Sequence, residues 1–340
     1  FLFRGSLQAR VLGNKGEQGP FDFLYGYDRF ALPKALVIAP RGVRARLVHK
    51  ALYLVEKPFA MATMIGLPLE IQPLFRREIA AANTIFCVND AISLAMLCHK
   101  IWGRVEAKLV VLMQSLSERL SYFRGNPMLV AGISRLLRAA DTVLALSETA
   151  LGPLAETFRV PREKLGVFRF GIDTAYWKPD PQIPRKDFVL TVGNDMNRDF
   201  ETLLRALPSD MALRIVSSRR FHNLPANVQV LGAIADDALR HLYQTARCVV
   251  IPSTRLRYES SGLSCILQAL ACGAPVLASY APAHEEYFRD KADIRYFEPG
   301  NSQHLRTILN TLSETAAPTQ AFQEFTTAGM AKTLEWIIRS

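Results

Sequence analysis

Residues 248–279 constrain the fold more than any other stretch. Cys248-Val249-Val250-Ile251 is an apolar run without alternation, followed by Pro252 and a polar loop to Glu259. Ser260-Ser261-Gly262 then opens a helical stretch that stops at Gly273, and Pro275 introduces a second apolar run, Val276 to Ser279. The pattern is strand, loop, helix, strand. Runs without alternation suit strands covered on both faces, as in a parallel sheet. A helix start bared by glycine at the carboxyl end of such a strand is a ready anion site. A phosphate-bearing ligand is therefore the first functional expectation, beside the plainer reading of an ordinary helix cap.

The same alternation runs through most of the chain, which predicts a doubly wound α/β fold in two Rossmann-like domains. In the front half, strands are expected at 21–26, 35–40, 84–89, 108–113 and 142–147, with helices at 92–102, 128–139 and 150–158. In the back half, strands are expected at 188–193, 213–217, 228–232, 248–251, 276–279 and 294–297, with helices near 200–206, 237–245, 261–272 and 302–312. Between the halves, Lys178-Pro179-Asp180-Pro181-Gln182-Ile183-Pro184 reads as a semi-rigid linker. The expected boundaries are 1–172 for an acceptor-binding domain, 173–186 for the linker and 187–318 for a nucleotide-sugar domain. A terminal helix in 319–340 is expected to pack back on the first domain. A cleft facing the carboxyl ends of both sheets is the expected ligand site.

Charge divides the chain unevenly. Lys and Arg number 41 against 31 Asp and Glu, a net of +10. Residues 1–170 hold 23 against 13, and residues 171–340 hold 18 against 18, so the whole excess lies in front. An anionic membrane surface or a phosphorylated acceptor suits that half, and a solvated basic face is the bland alternative. Arg41 to Lys50, followed by the apolar run Pro58–Leu69, fits an interfacial anchor or else a core helix with a charged flank. Nucleic acid is disfavoured, because no recognition motif accompanies the charge. The five cysteines lack a C-x-x-C pair and read as core residues in a reducing compartment. The chain opens on Phe1 rather than Met, which fits a trimmed start, and has no basic leader or 18-residue apolar span. Cytoplasmic residence, with peripheral contact on the inner membrane face, is expected.

Four further blocks carry more specific information: Ala140 to Glu148; Phe170-Gly171-Ile172-Asp173 with Trp177-Lys178-Pro179; Val192-Gly193-Asn194 to Arg198-Asp199-Phe200; and Ser260 to Pro275. In that order they resemble the retaining nucleotide-sugar glycosyltransferases of the GT-B architecture, family 4 (glycosyl transferases group 1). The resemblance spans about residues 80–340 and is specific from 140 to 300. It implies a sugar moved from a nucleotide-diphosphate sugar to a hydroxyl of a sugar or lipid-linked acceptor, with retention of configuration.

The resemblance places the diphosphate-binding loop at Gly193, Asn194 and Arg198. Asn194 stands where the family has an arginine, and Arg198 where it has a lysine. A guanidinium there would fork onto diphosphate oxygens and offset charge on the leaving group, although pairing with Glu201 on a helix surface fits it too. The donor cradle extends over Ser260, Ser261, Gly262 and Leu263. The family's two glutamates fall on Ser260 and Gln268. Gln268 would hold the ribose, and Glu259 would take over the contact to the transferred sugar. Gln114 occupies the position of the family's sugar-steadying histidine, so Arg198, Glu259 and Gln114 are the catalytic candidates. Asp90 would either meet an acceptor hydroxyl or cap the helix that follows it. None of the six histidines falls in a motif, and they read as surface or helix residues.

Same-face transfer needs no protein nucleophile, since the departing diphosphate takes the acceptor proton. No D-x-D occurs, so no metal and no other cofactor is expected. An epimerase or hydrolase of the same architecture, or a non-catalytic binding member, remains open from the substituted positions 114, 194, 260 and 268.

Overall fold

The computed structural model describes residues 1–3, 20–38, 43–289, 294–312 and 324–339. The chain divides into two compact units: one built on Phe23–Arg169, with β1 and the residues from Met330 onward, the other on Phe170–Gly329, which also takes in Asp22.

In the first unit β1 (Leu2–Phe3), β2 (Val37–Ile38), β3 (Thr84–Cys87), β4 (Lys108–Met113), β5 (Thr142–Ala145) and β6 (Leu165–Val167) form a sheet in the order β2-β1-β3-β4-β5-β6. Every pairing is parallel. Its helices are α1 (Val43–Thr63), α2 (Ile71–Leu74), α3 (Arg76–Ala80), α4 (Asp90–Ile101), α5 (Leu116–Phe123), α6 (Pro127–Arg138) and α7 (Leu151–Glu156). The unalternating strands are the buried ones: after Lys108, all of β4 is covered. Helix starts follow local chemistry, with the Asn89 side chain accepting from Ile92 N–H and Asn126 from Leu129 N–H ahead of Pro127.

The second unit holds β7 (Lys186–Val192), β8 (Ala212–Val216), β9 (Val228–Val230), β10 (Ala246–Ile251), β11 (Val276–Ser279) and β12 (Ile294–Phe297), again all parallel, in the order β12-β11-β10-β7-β8-β9. Its helices are α8 (Phe200–Ala206), α9 (Asp236–Thr245), α10 (Leu263–Ala271), α11 (Pro282–Phe288) and α12 (Ser302–Asn310). The last helix, α13 (Thr327–Arg339), begins in this unit and ends in the first. Strand order reverses between β7 and β10, the place where sheets of this kind bind ligands. The two-unit, doubly wound α/β class expected from the sequence is the observed one.

Three expectations need correction. The segment 21–26 is not a strand: Asp22–Leu24 is a 3-10 turn, and Tyr25 and Gly26 follow at φ 52° and 82°, which extended chain does not allow. β1, which lies between β2 and β3, and the edge strand β6, two and three residues long, were too short for periodicity to reveal. Of the expected linker, Asp173, Tyr176 and Trp177 are buried, whereas the proline-containing part is largely exposed. Of the expected basic and apolar anchor, Arg41 and Gly42 lie outside the described residues. The run Pro58–Leu69 splits: Ile65, Leu67 and Leu69 are core, whereas Met61 and Met64 face outward. Among the described residues no helix is long and apolar enough to cross a membrane.

Asp22 is a hub of the second unit. Fully buried, it accepts from Asp173 N–H (2.6 Å), Trp177 Nε1 (2.7 Å) and Gln268 Nε2 (2.8 Å). Burial pushes its carboxyl up to about 6 despite these three donors. Between the ordinary value of 3.8 and 6 the native state therefore holds more protons than the unfolded chain, so stability falls as pH rises through this window. Asp22→Ala should destabilise by orphaning three donors, at ~1–3 kcal/mol for each one left unpaired. The loss should be larger at pH 4.5 than at pH 7.5. Urea unfolding at both values measures it.

Candidate functional site

The loops that leave the carboxyl ends of β7 and β10 meet at the strand-order reversal. Their backbones zip together: Asp199 N–H donates to Pro252 O (3.1 Å), Thr254 N–H donates to Asn197 O (2.9 Å), and Arg198 and Ser253 form an antiparallel bridge. Side chains add two ties, Asn197 Nδ2 to Glu259 Oε2 (2.8 Å) and Ser261 Oγ to Asp195 Oδ1 (2.8 Å).

Arg198 lies at the centre of this seam. Its Nε donates to Val192 O (3.0 Å), and its Nη1 lies 3.4 Å from both Ser253 Oγ and Ser261 Oγ and 3.3 Å from Asp195 Oδ2. Its Nη2 reaches Cys265 Sγ at 3.9 Å, a weak acceptor. A buried guanidinium needs this many partners, because it cannot shed its charge. It also needs space. Gly193, at φ +146°, and Gly262, at φ +92°, flank it: a Cβ on the first would overlap Nε, and one on the second would lie 3.0 Å from Nη1 and 2.6 Å from Ile251 Cγ2.

The helix behind the cradle starts at Leu263, with Gly262 in the cap position and no side-chain cap. Ser260 and Ser261 therefore do not cap it. Ser261 faces Arg198, and Ser260 is buried, with its carbonyl accepting from Leu263 N–H (3.0 Å). Beneath Ser261 lies His284, which is fully buried, its Nε2 3.1 Å from Ser261 O. Burial first, and the nearby Arg198 second, hold its pKa down at about 4, so the ring is neutral at pH 7. His284, Asp195 and Ser253 are the members that sequence reasoning missed. No local motif marks them, because the fold alone brings β11's following helix under the cradle.

The remaining expected residues separate. Asn194 is exposed and ties the loop to the end of β8, its Oδ1 accepting from Ser217 Oγ (3.0 Å) and from Ser218 N–H (2.6 Å) and Oγ (2.9 Å). Glu259 is half-buried at the loop seam. Arg198 does not pair with Glu201; Arg205 does, at 2.8 Å. Gln268 is corrected: it is buried, its amide donates to Asp22, and its carbonyl lies 3.4 Å from Tyr243 Oη, so no part of it is presented to a ribose.

In the first unit, Asp90 is also corrected. Its buried carboxylate accepts from Ser115 N–H (3.1 Å), Ser115 Oγ (3.1 Å) and Leu116 N–H (3.0 Å), which caps α5 from a neighbouring strand end and leaves it no role toward an acceptor. Burial holds its pKa above the ordinary carboxylate value. Gln114 donates both amide protons, to Tyr25 Oη and Val88 O, each at 2.7 Å, so its amide oxygen is what it has left to offer.

Residues 210–326 match the sequence model of the family described as Glycosyl transferases group 1. No curated protein sequence matches the chain. Among solved structures, HepE of Anabaena in complex with UDP and glucose is 17% identical, with a TM-score of 0.65 over 100% of this chain and 99% of that one. Sucrose-phosphate synthase from Thermosynechococcus elongatus is 14% identical, with a TM-score of 0.65 over 92% and 86% of the two chains. A glycosyltransferase from Rickettsia africae is 14% identical, with a TM-score of 0.60 over 99% and 89%. These likenesses establish the architecture, which is GT-B with two Rossmann-like domains. With a group 1 domain in its second unit, the protein is a glycosyltransferase, as the resemblance implied.

The glycine contact can be isolated. Gly262→Ala should cost ~1–3 kcal/mol of overpacking beyond the cost of its backbone angle. Gly232→Ala is the control, since that residue also has positive φ (+66°) but meets nothing within 4 Å. Chemical denaturation of both variants should show the first to be clearly the less stable.

Proposed function

We propose that the protein transfers a sugar from a nucleotide-diphosphate sugar to an acceptor hydroxyl, with retention of configuration and without a metal. The observation that carries this reading is the buried Arg198 guanidinium at the strand-order reversal, ringed by the hydroxyls of Ser253 and Ser261. These groups donate hydrogen bonds, as the oxygens of a departing diphosphate require. HepE, which shares the fold, binds UDP and glucose, which supports a nucleotide-sugar donor and makes UDP the first probe. A fixed guanidinium supplies the charge that a divalent ion supplies elsewhere, and the leaving diphosphate itself takes the acceptor proton on the face it vacates. Glu259, held by Asn197 at the seam, is the group assigned to the transferred sugar.

The acceptor is assigned to the first unit, and its surface favours an amphiphilic one. A groove of about 530 Å³ is lined by Phe59, Leu67, Trp102, Met128, Ile133 and Leu136, among others. Met128 is 85% exposed and Trp102 52%, more apolar surface than an unpartnered face usually shows. Lys50, Lys57, Arg135 and Arg138 on the same helices are exposed and form no ion pair among the described residues. Cations beside apolar surface suit an anionic membrane face that carries a lipid-linked acceptor.

Arg198→Ala should weaken UDP binding by roughly ten- to a hundredfold, the equivalent of ~1.5–3 kcal/mol for a charge-assisted contact. Calorimetry checks it, and unchanged affinity in a folded variant would remove Arg198 from the site. Turnover should survive EDTA; loss restored by manganese would overturn the metal-free mechanism. Epimerised or hydrolysed donor without an acceptor product would favour the alternative activities. Flotation with phosphatidylglycerol vesicles should occur at low salt and fade at high salt. A protein that stays unbound at low salt would leave a water-soluble acceptor.

A further inference from the structure

The diphosphate cradle is already occupied by a group of the chain itself. Asp195 Oδ2 lies 3.3 Å from Arg198 Nη1, and Oδ1 accepts from Ser261 Oγ (2.8 Å) and Asn197 N–H (3.0 Å). One carboxylate thus receives from both sides of the seam, Arg198 on the β7 loop and Ser261 on the β10 loop. Those are two of the donors that the proposed function assigns to diphosphate oxygens.

The exposures of the two partners show which one is outermost. The Arg198 side chain is 2% exposed and that of Asp195 39%. Solvent, and any ligand, meets the carboxylate before the guanidinium. The anchoring is equally unequal. Arg198 is fixed from behind by Val192 O and by its backbone bridge to Ser253, and Cβ positions at both flanking glycines would touch it. Beyond its bonds to Arg198, Ser261 and the Asn197 N–H, Asp195 has solvent on its outer side. A swing of its side chain opens the arginine without moving it. The guanidinium also retains capacity, since among the described residues Nη2 has only the sulfur of Cys265 at 3.9 Å.

We propose that Asp195 is a built-in competitor for the donor's diphosphate: its carboxylate holds the anion position of the Arg198 cradle, and the donor binds by taking that position over. Asp195 thereby sets donor affinity. The exchange replaces one anion by another, so the buried guanidinium keeps a partner throughout, which is the condition under which a buried charge is tolerated. It also makes the site selective. A ligand must bring enough negative charge to outcompete a tethered carboxylate, so diphosphates enter where neutral or weakly charged sugars do not. The inference rests on the reading of the cradle as a diphosphate site.

The test is a gain of affinity, which a purely structural role would not produce. Asp195→Asn keeps the shape and removes the charge. It should bind UDP and inorganic pyrophosphate roughly tenfold more tightly than the natural chain, a coupling of ordinary size between interacting sites, while uridine affinity stays unchanged. Product UDP should inhibit turnover by the variant at correspondingly lower concentration. In the double variant Asp195→Asn with Arg198→Ala, the gain should vanish, because the competition is for that guanidinium. If the asparagine variant does not fold, Asp195→Ser removes the same charge. UDP and pyrophosphate affinities that stay equal or fall on removal of the charge overturn the proposal, and they leave the diphosphate reading intact if Arg198→Ala still weakens both. Equal binding of both probes to the natural chain and to Arg198→Ala overturns the diphosphate reading and the competitor with it.

Discussion

A guanidinium that cannot lose its proton, buried at the point where two sheet loops cross, sets the requirements for everything around it. Arg198 demands acceptors, and the seam supplies a strand carbonyl, two serine hydroxyls and a carboxylate. It demands room, and two left-handed glycines give it. Burial, and after it the repulsion from Arg198, keep the imidazole below it neutral. Ser253, Ser261, Gly262 and Cys265, read in the sequence as parts of a polar loop and a helix start, are better understood as part of the packing shell of one cation.

The first unit uses polar side chains as internal braces. Asp90 caps a helix that it does not belong to, and Gln114 ties the Tyr25 hydroxyl to the end of β3. Burial pushes that tyrosine up to about 12, so it stays a neutral partner at any ordinary pH. Both braces sit just beyond the carboxyl ends of β3 and β4. The polar residues of that edge are organised first for one another, which leaves few free groups and gives those few, such as the Gln114 amide oxygen, fixed directions.

The strands at 108–113 and 276–279 were legible residue by residue, because buried parallel strands read as nearly unbroken apolar runs. The helices expected at 92–102 and 128–139 are present but start earlier, at Asp90 and Pro127, where Asn89 and Asn126 cap them. The failures share a cause. Gln268 was read from the family resemblance and Asp90 from its place after a strand, whereas Asp22, 246 residues away from Gln268, and Ser115, 25 away from Asp90, decide what they do. Arg198 could be singled out from its loop, but its burial could not, since that depends on glycines and serines from two loops meeting. His284 had no sequence signal at all.

Each unit borrows from the far end of the chain. Asp22, near the start, completes the second unit, and the residues from Met330 onward complete the first. A ribosome delivers these pieces in the wrong order for domain-by-domain assembly. The first unit waits for α13 before its contacts are whole, and the second carries three buried donors that Asp22, made before the body of the first unit, satisfies. Neither unit is encoded by one continuous stretch. Cutting the gene at the apparent domain boundary would divide both, and a chain stalled before Met330 would present an incomplete first unit to the quality-control machinery of the cell.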